Sequence, residues 1–433
     1  MLLTGAADSS HEVSRRALRL PRVFARPAFV LAAALAIHAM GRVSATCAPS
    51  RFDSFVYSVA AYRFYDPQAT AADLVPDKPA GQPCLTGWMY RVMPAPPSRL
   101  TLLPLDSAFL LAGYALFWLL ARGLADRTAA AAGMLFLVLG INAYNTLYED
   151  VAGLNVNEIY LLAPMLLAVW AHLAVQRPAW RGLLRGVGLG LALSVKQSAV
   201  GLAVVLVVCG LLRAAEEGRV RDIWRGVAWS AFGMAVVWVP PAVLLYVRGW
   251  LGPHLADLAS RSGEYVELAW PRGWHGYRFA PVAATAWWAI VGLVLGTSCR
   301  TPTESRGRQL PLEHDAARLA WLWLAVEVTL LWLMTRRSGH YHQQVVAPAA
   351  LLAVIGMARM ARLTAFMSLR QRLRARYLAA CVTVVLVLVA LMPFTAEIWR
   401  RVPGFSYDEE VRTFAAWLAD WSPRSLAPHW QGR

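Results

Sequence analysis

The chain has 433 residues, of which 58% are hydrophobic and 16% charged, and carries a formal net charge of +16. Soluble domains run at roughly 45–50% apolar and about 25% charged, so this composition excludes a soluble globule. The basic residues sit in short stretches between apolar runs, as membrane topology places them, and no soluble basic domain exists to bind nucleic acid.

Residues 1–26 are polar and basic (Arg15, Arg16, Arg19, Arg22, Arg26) and read as a cytoplasmic tail. Span 1 is expected over 27–45, with a cleaved leader ending near Val43-Ser44-Ala45 as the alternative. Residues 47–103 form the first outer loop. Within it Phe52, Phe55, Val56 and Val59 fall on one helical face. That predicts an interfacial helix with its polar edge toward water. Asp53 stands in its first turn, off the stripe, where the positive helix end favours a carboxylate. The same loop holds Tyr57 and the run Asp77-Lys78-Pro79-Ala80-Gly81.

Span 2 is expected over 104–121 and span 3 over 128–143. A short outer loop, 144–157, carries Glu149 and Asp150 and no basic residue. Span 4 covers 158–175 and returns to Arg177, Arg181 and Arg185. The apolar stretch 186–212 has arginine at both ends. One long helix there would place the arginine-rich stretch 359–376 outside. A hairpin of two short arms meeting near Lys196-Gln197 keeps both flanks and that stretch inside, and is the preferred reading. Arms that short need a tip covered by protein or set in a wet recess.

Span 7 is expected over 227–247, broken or kinked at Pro240-Pro241. A second outer loop, 248–278, holds His254, Glu264, Tyr265, Glu267 and His275. Spans 8 to 11 follow at 279–297, 319–334, 345–358 and 378–397, with Arg336, Arg337, His340, His342, Gln343 and Gln344 between spans 9 and 10. Ser406 with Glu409 three residues on predicts a capping box for a helix over 407–421. The expected architecture is therefore an all-α polytopic membrane protein of about 11 transmembrane segments. Its parts are the tail 1–26, one membrane domain over 27–397 and a short extracytoplasmic tail, 398–433.

This topology brings Asp53, Asp77, Lys78, Glu149, Asp150, the 248–278 loop and the 335–344 segment to one face. Singly each has an ordinary explanation: a helix-end carboxylate, a surface turn, an interfacial histidine. Together they suit a lipid-borne anionic substrate, with cations on a phosphate and a carboxylate accepting a proton. Of 42 basic residues only Lys78 and Lys196 are lysines. Lys196, at intramembrane depth, is functional or paired by default, and snorkelling to the interface is the alternative. A zinc site of His340, His342 and Glu264 lacks a strong signature. No Walker loop or dinucleotide fingerprint appears, so no cofactor is expected and a divalent metal is not indicated.

The order of these parts resembles the GT-C fold glycosyltransferases, in particular the bacterial protein mannosyltransferase and aminoarabinose-transferase-like group. The residues that carry it are Asp53 with Tyr57, then Asp77-Lys78-Pro79-Ala80-Gly81. Leu193-Ser194-Val195-Lys196-Gln197 and His340-Tyr341-His342-Gln343-Gln344 with Pro348 complete the set. The resemblance implies inverting transfer of a sugar from a polyprenyl-phosphate-linked donor to a lipid, glycan or protein acceptor. It places the reaction on the periplasmic side of a bacterial inner membrane. Asp53 is then the catalytic base and Lys78 the residue at the donor phosphate. The substrate-binding set is Tyr57, Asp77, Lys78, Glu149, Asp150, Lys196, Arg336, Arg337, His340, His342 and Gln343. Ser54 stands where many members have a second acid, and Ala80 where many have proline.

The competing class is a transporter or lipid flippase, which calls for charges spread through several spans and an inverted repeat. A non-catalytic scaffold leaves the crowding of polar groups unexplained. Among five cysteines, Cys47 and Cys84 alone lie in the first outer loop, as a bridged pair or as two thiols.

Overall fold

The computed structural model describes residues 27–47, 52–74, 78–93, 95–147, 154, 156–218, 220–267, 309–333, 343–363, 399 and 402–419. Every apolar run among them is helical, because a chain in hydrocarbon must satisfy its own backbone groups, and no strand occurs among the described residues. The helices are α1 (Pro27–Cys47), α2 (Phe52–Phe64), α3 (Gly81–Gly87), α4 (Met89–Val92), α5 (Leu103–Leu124), α6 (Arg127–Leu147) and α7 (Asn157–Ala174). There follow α8 (Pro178–Val195), α9 (Val200–Glu217), α10 (Val220–Val247), α11 (Leu251–Glu267), α12 (Gln309–Leu333), α13 (Gln343–Leu363) and α14 (Tyr407–Ala419). Five of the described helices are long and apolar enough to cross a membrane by length and composition. The expected spans 279–297 and 378–397 lie outside the described residues.

The fold of the described residues is all-α and polytopic, with short helices in the first loop. Contacts at glycines fix the direction of each helix. Gly41 of α1 sits against Asn142 of α6, both near their C-terminal ends, so α1 and α6 run parallel. Gly140 of α6 meets Val346 at the start of α13, so that pair is antiparallel. Gly113 of α5 lies on Leu162 of α7, and Gly201 of α9 on Leu330 of α12. These directions match the alternation expected from the arginine pattern. The ends of α1, α6, α10 and α12 share one end of the bundle with the starts of α5, α7 and α13.

Helix α8 is held between α7 and α10 by small residues. Gly182, Gly186 and Gly190, four apart, form a stripe that lets α10 approach; a Cβ at Gly186 would strike the Ser230 carbonyl. Small-residue stripes of this kind let helix backbones touch where lipid removes the hydrophobic drive to associate. Arg185 adds hydrogen bonds from Nε and Nη2 to Ser230 Oγ (3.0 and 2.8 Å) and from Nη2 to the Gly226 carbonyl (3.0 Å). The outer face of α10 shows Trp229, Phe232, Val236, Trp238, Val239 and Val243 to the surroundings, as a lipid-facing helix does. The helix continues through Pro240 and Pro241, so the expected break there is absent.

The break at Lys196 is real. Lys196 is extended (φ −154°, ψ 132°), and one 3-10 turn, Gln197–Ala199, separates α8 from α9. A Cβ at Gly210 would lie 3.9 Å from Arg185 Nη1, so residues some ten positions either side of the break are neighbours and the segment is a hairpin. Its arms are longer than expected: Pro178 starts α8 and Glu217 ends α9, giving 18 residues each. At 1.5 Å per residue that is about 27 Å, close to the ~30 Å hydrocarbon core. Charged residues flanking the apolar run were helical after all.

Helix α2 begins where expected, but Ser54 to Ala61 are buried without a gap. The apolar stripe packs on α14, and off the stripe Ser54 is covered by Leu154 and Tyr57 by Trp417, all remote in sequence. The capping residue Ser406 is confirmed: its Oγ accepts from the Glu409 amide (3.4 Å). No disulfide joins Cys47 and Cys84. Cys84 instead lies against Tyr65, whose hydroxyl donates to the Cys84 carbonyl (2.8 Å) and is 3.6 Å from Sγ. Burial pushes the Cys84 thiol up, and the Tyr65 hydroxyl opposes that shift.

Candidate active site

Two motifs far apart in sequence meet at the Lys196 end of the bundle. The turn Lys78-Pro79-Ala80 feeds α3, and its first residue, Gly81, rests on Ser194 so closely that a Cβ would collide with the Ser194 carbonyl. Glycine is required there for that approach. Lys78, half-buried, thereby comes within electrostatic reach of Lys196. Helix α3 is fixed in turn to α2, where a Cβ at Gly87 would strike the Ala61 carbonyl.

Lys196 is buried and forms an ion pair with Glu158, the second residue of α7. It is thus paired rather than snorkelling. Glu327 of α12, 1% exposed, also acts on Lys196 and accepts a hydrogen bond from Trp323 Nε1 (3.1 Å). Across the break, Gln344 Nε2 donates to Ser198 Oγ (3.0 Å), which joins α13 to the hairpin tip. Glu158, Trp323, Gln343 and Gln344 line a cavity of about 20 Å³, room for roughly one water. The hairpin tip is therefore covered by protein, as its polar composition requires.

Asp53 lies in the first turn of α2. The next residue, Ser54, donates from Oγ to the Leu154 carbonyl, tying α2 to the α6–α7 connection. Tyr57 is buried beside Val56 and Ala60, with Trp417 packed against them. A second polar group lies in the spans at this end: Tyr160 donates to Asp106 Oδ1, and the buried Arg42 is within electrostatic reach of Asp106, Tyr114 and Tyr160.

Of the expected site residues the structure brings together Lys78, Lys196 and Gln343. It places Asp53 on the helix to which the Lys78 segment is packed. The Asp53 side chain, together with Asp77, Glu149, Asp150, Arg336, Arg337, His340 and His342, lies outside the described residues, as does the side chain of Glu264. Among the described residues no cluster of three His, Cys, Asp or Glu is arranged to hold a metal. Glu158, Glu327, Arg42 and Asp106 were missed from sequence, although each is an ionisable residue in or beside an apolar run. Such residues mark functional or paired positions by default.

Fold and site together describe a polytopic, all-helical membrane protein with a buried lysine–carboxylate centre at one end. No family model matches the sequence, and no curated protein does. The arrangement is similar to that of two kinds of solved structure. One is ArnT from Cupriavidus metallidurans, bound to undecaprenyl phosphate, at 16% identity and a TM-score of 0.49 over 90% of this chain and 74% of that one. The other is the oligosaccharyltransferase of Archaeoglobus fulgidus, at 12% identity and a TM-score of 0.47 over 86% of this chain. The chain spans 55% of the archaeal protein's length.

Proposed function

We propose that the protein transfers a sugar from a polyprenyl-phosphate donor to an acceptor, at the bundle end that carries Lys78 and α2, on the extracytoplasmic face. The observation that carries this reading is the packing of Gly81 on Ser194, which sets Lys78 within electrostatic reach of Lys196. It gathers the only two lysines of the chain at one end of the bundle. Lys196 is paired with Glu158, and Lys78 beside it is the residue assigned to the donor phosphate. Asp53 then accepts the proton from the acceptor hydroxyl as the sugar carbon is attacked, and the polyprenyl phosphate leaves with inversion. The phosphate-binding set extends to Arg336, Arg337, His340, His342 and Gln343, with Tyr57, Asp77, Glu149 and Asp150 around the sugar and acceptor.

A transporter or flippase calls for charges spread through several spans, and the buried ones here do stand on several helices. A transport path also needs them along the length of the bundle. Arg42, Asp106, Glu158, Lys196 and Glu327 all lie within about two turns of the same end. That favours a reaction site over a conduit. The test is purified protein with a panel of radiolabelled polyprenyl-phosphate sugars. Label moves from lipid to acceptor in the wild type, and Asp53→Asn lowers the rate ~10²–10⁴-fold while the protein stays folded. A folded Asp53→Asn at wild-type rate refutes the base assignment, and no transfer with any sugar refutes the activity.

A further inference from the structure

Helix α14 is docked on α2, and the docking surface is centred on the turn that follows Asp53. Glu410, Phe414, Trp417 and Leu418 share one helical face by their spacing. Phe414 is fully buried, stacked on Tyr90 at 5.8 Å and 6.1 Å from the Phe55 ring. Trp417 stacks on Phe55 at 5.5 Å and packs on the Val56, Tyr57 and Ala60 cluster. Arg99 closes the arrangement with a bidentate pair to Glu410, Nε to Oε1 at 2.8 Å and Nη2 to Oε2 at 2.7 Å, its guanidinium 4.9 Å from the Phe55 ring centre. At the far end Arg63 Nη2 donates to the Leu418 carbonyl (3.3 Å).

Both members of the Arg99–Glu410 pair are almost fully buried. Lifting α14 away would strand a guanidinium beside an uncovered aromatic face, so partial docking is penalised. Helix α2 is thus gripped from two sides: α14 holds Phe55, Val56 and Tyr57, while Leu154 holds Ser54. Asp53 is the residue immediately before this grip. The cationic centre, by contrast, is held by α3, α7 and α8, with no member of α14 among its contacts described above.

We propose that Glu410, Phe414 and Trp417 are positioning residues for the transfer, setting Asp53 in place by clamping α2. This rests on the role of Asp53 proposed above. The clamp acts mainly on turnover, since it holds α2 beside Asp53, and reaches the Lys78 turn only indirectly through α3.

The full-length protein in lipid nanodiscs is compared with Phe414→Ala, Glu410→Ala and the conservative Phe414→Leu. Three quantities are read: kcat and donor KM for sugar transfer, hydrogen exchange of the α2 amides, and thermal unfolding of the bundle. Both alanine variants lose ~10- to 10²-fold in kcat, the range that a small misplacement of a reacting group produces. Donor KM changes less than kcat, and α2 exchanges faster while the hairpin around Lys196 does not. Melting falls because a buried ring or ion-pair partner is lost, and Phe414→Leu recovers most of the rate. Wild-type kcat and α2 exchange in the alanine variants overturn the proposal. So do kcat and KM that shift together with faster exchange throughout the bundle, which marks a merely structural role. If the wild type transfers no sugar, the proposed activity fails. Exchange alone then judges the clamp: faster exchange in α2 supports it and unchanged exchange overturns it.

Discussion

Glu158→Gln removes the charge that neutralises Lys196 and leaves a side chain of nearly the same shape. The Lys196 and Glu158 side chains are 6% and 4% exposed, so water cannot take over from the lost partner. Removing one member of a buried ion pair costs ~3–5 kcal/mol, because the other charge remains in a low-dielectric site. Lys78 and Glu327 stand within electrostatic reach of Lys196, and the middle of that range, about 4 kcal/mol, is the expected cost. At 1.4 kcal/mol per decade that is a ~10³-fold shift in the unfolding equilibrium. Lys196→Met is expected to cost about as much, since it strands Glu158. The double variant Glu158→Leu with Lys196→Met is expected to cost less than either single one, since an apolar pair needs no partner. Unfolding in detergent micelles under increasing SDS, followed by tryptophan fluorescence, measures all three. Single costs below ~1 kcal/mol, or costs that add within ~0.5 kcal/mol, would refute the buried pair.

Lys78→Met is expected to raise donor KM while the acceptor KM stays constant, and unchanged donor affinity removes Lys78 from the phosphate site. Gly81→Ala places a Cβ into the Ser194 carbonyl and is expected to cost ~1–3 kcal/mol as an overpacked contact; a melting temperature equal to wild type contradicts that contact. With the native cysteines removed, Arg185→Cys and Arg213→Cys are expected to react with impermeant thiol reagents from the same side of the membrane, since the hairpin returns α9 beside the start of α8. Labelling of the two positions from opposite sides rules the hairpin out.

What the sequence by itself determined is local. Length and apolarity of a run decide that it becomes a helix, because hydrocarbon leaves the backbone no partner outside its own segment. The arginine pattern decides which ends share a side, and the directions of the described helices follow it. Ser406 caps α14 through a bond three residues long, and Lys196 breaks a hairpin within its own stretch. The tertiary structure alone decided the partners. Lys196 meets Glu158 across 38 positions, Gln344 meets Ser198 across 146, and Arg99 meets Glu410 across 311. Nothing within a helical turn of these residues encodes such pairings, which depend on which faces of distant helices pack together. The same holds for α2, read from its stripe as half-exposed. Its remaining surface is buried because Leu154 covers Ser54 and Trp417 of α14 covers Tyr57, and Cys84 is a thiol that α3 seats against Tyr65.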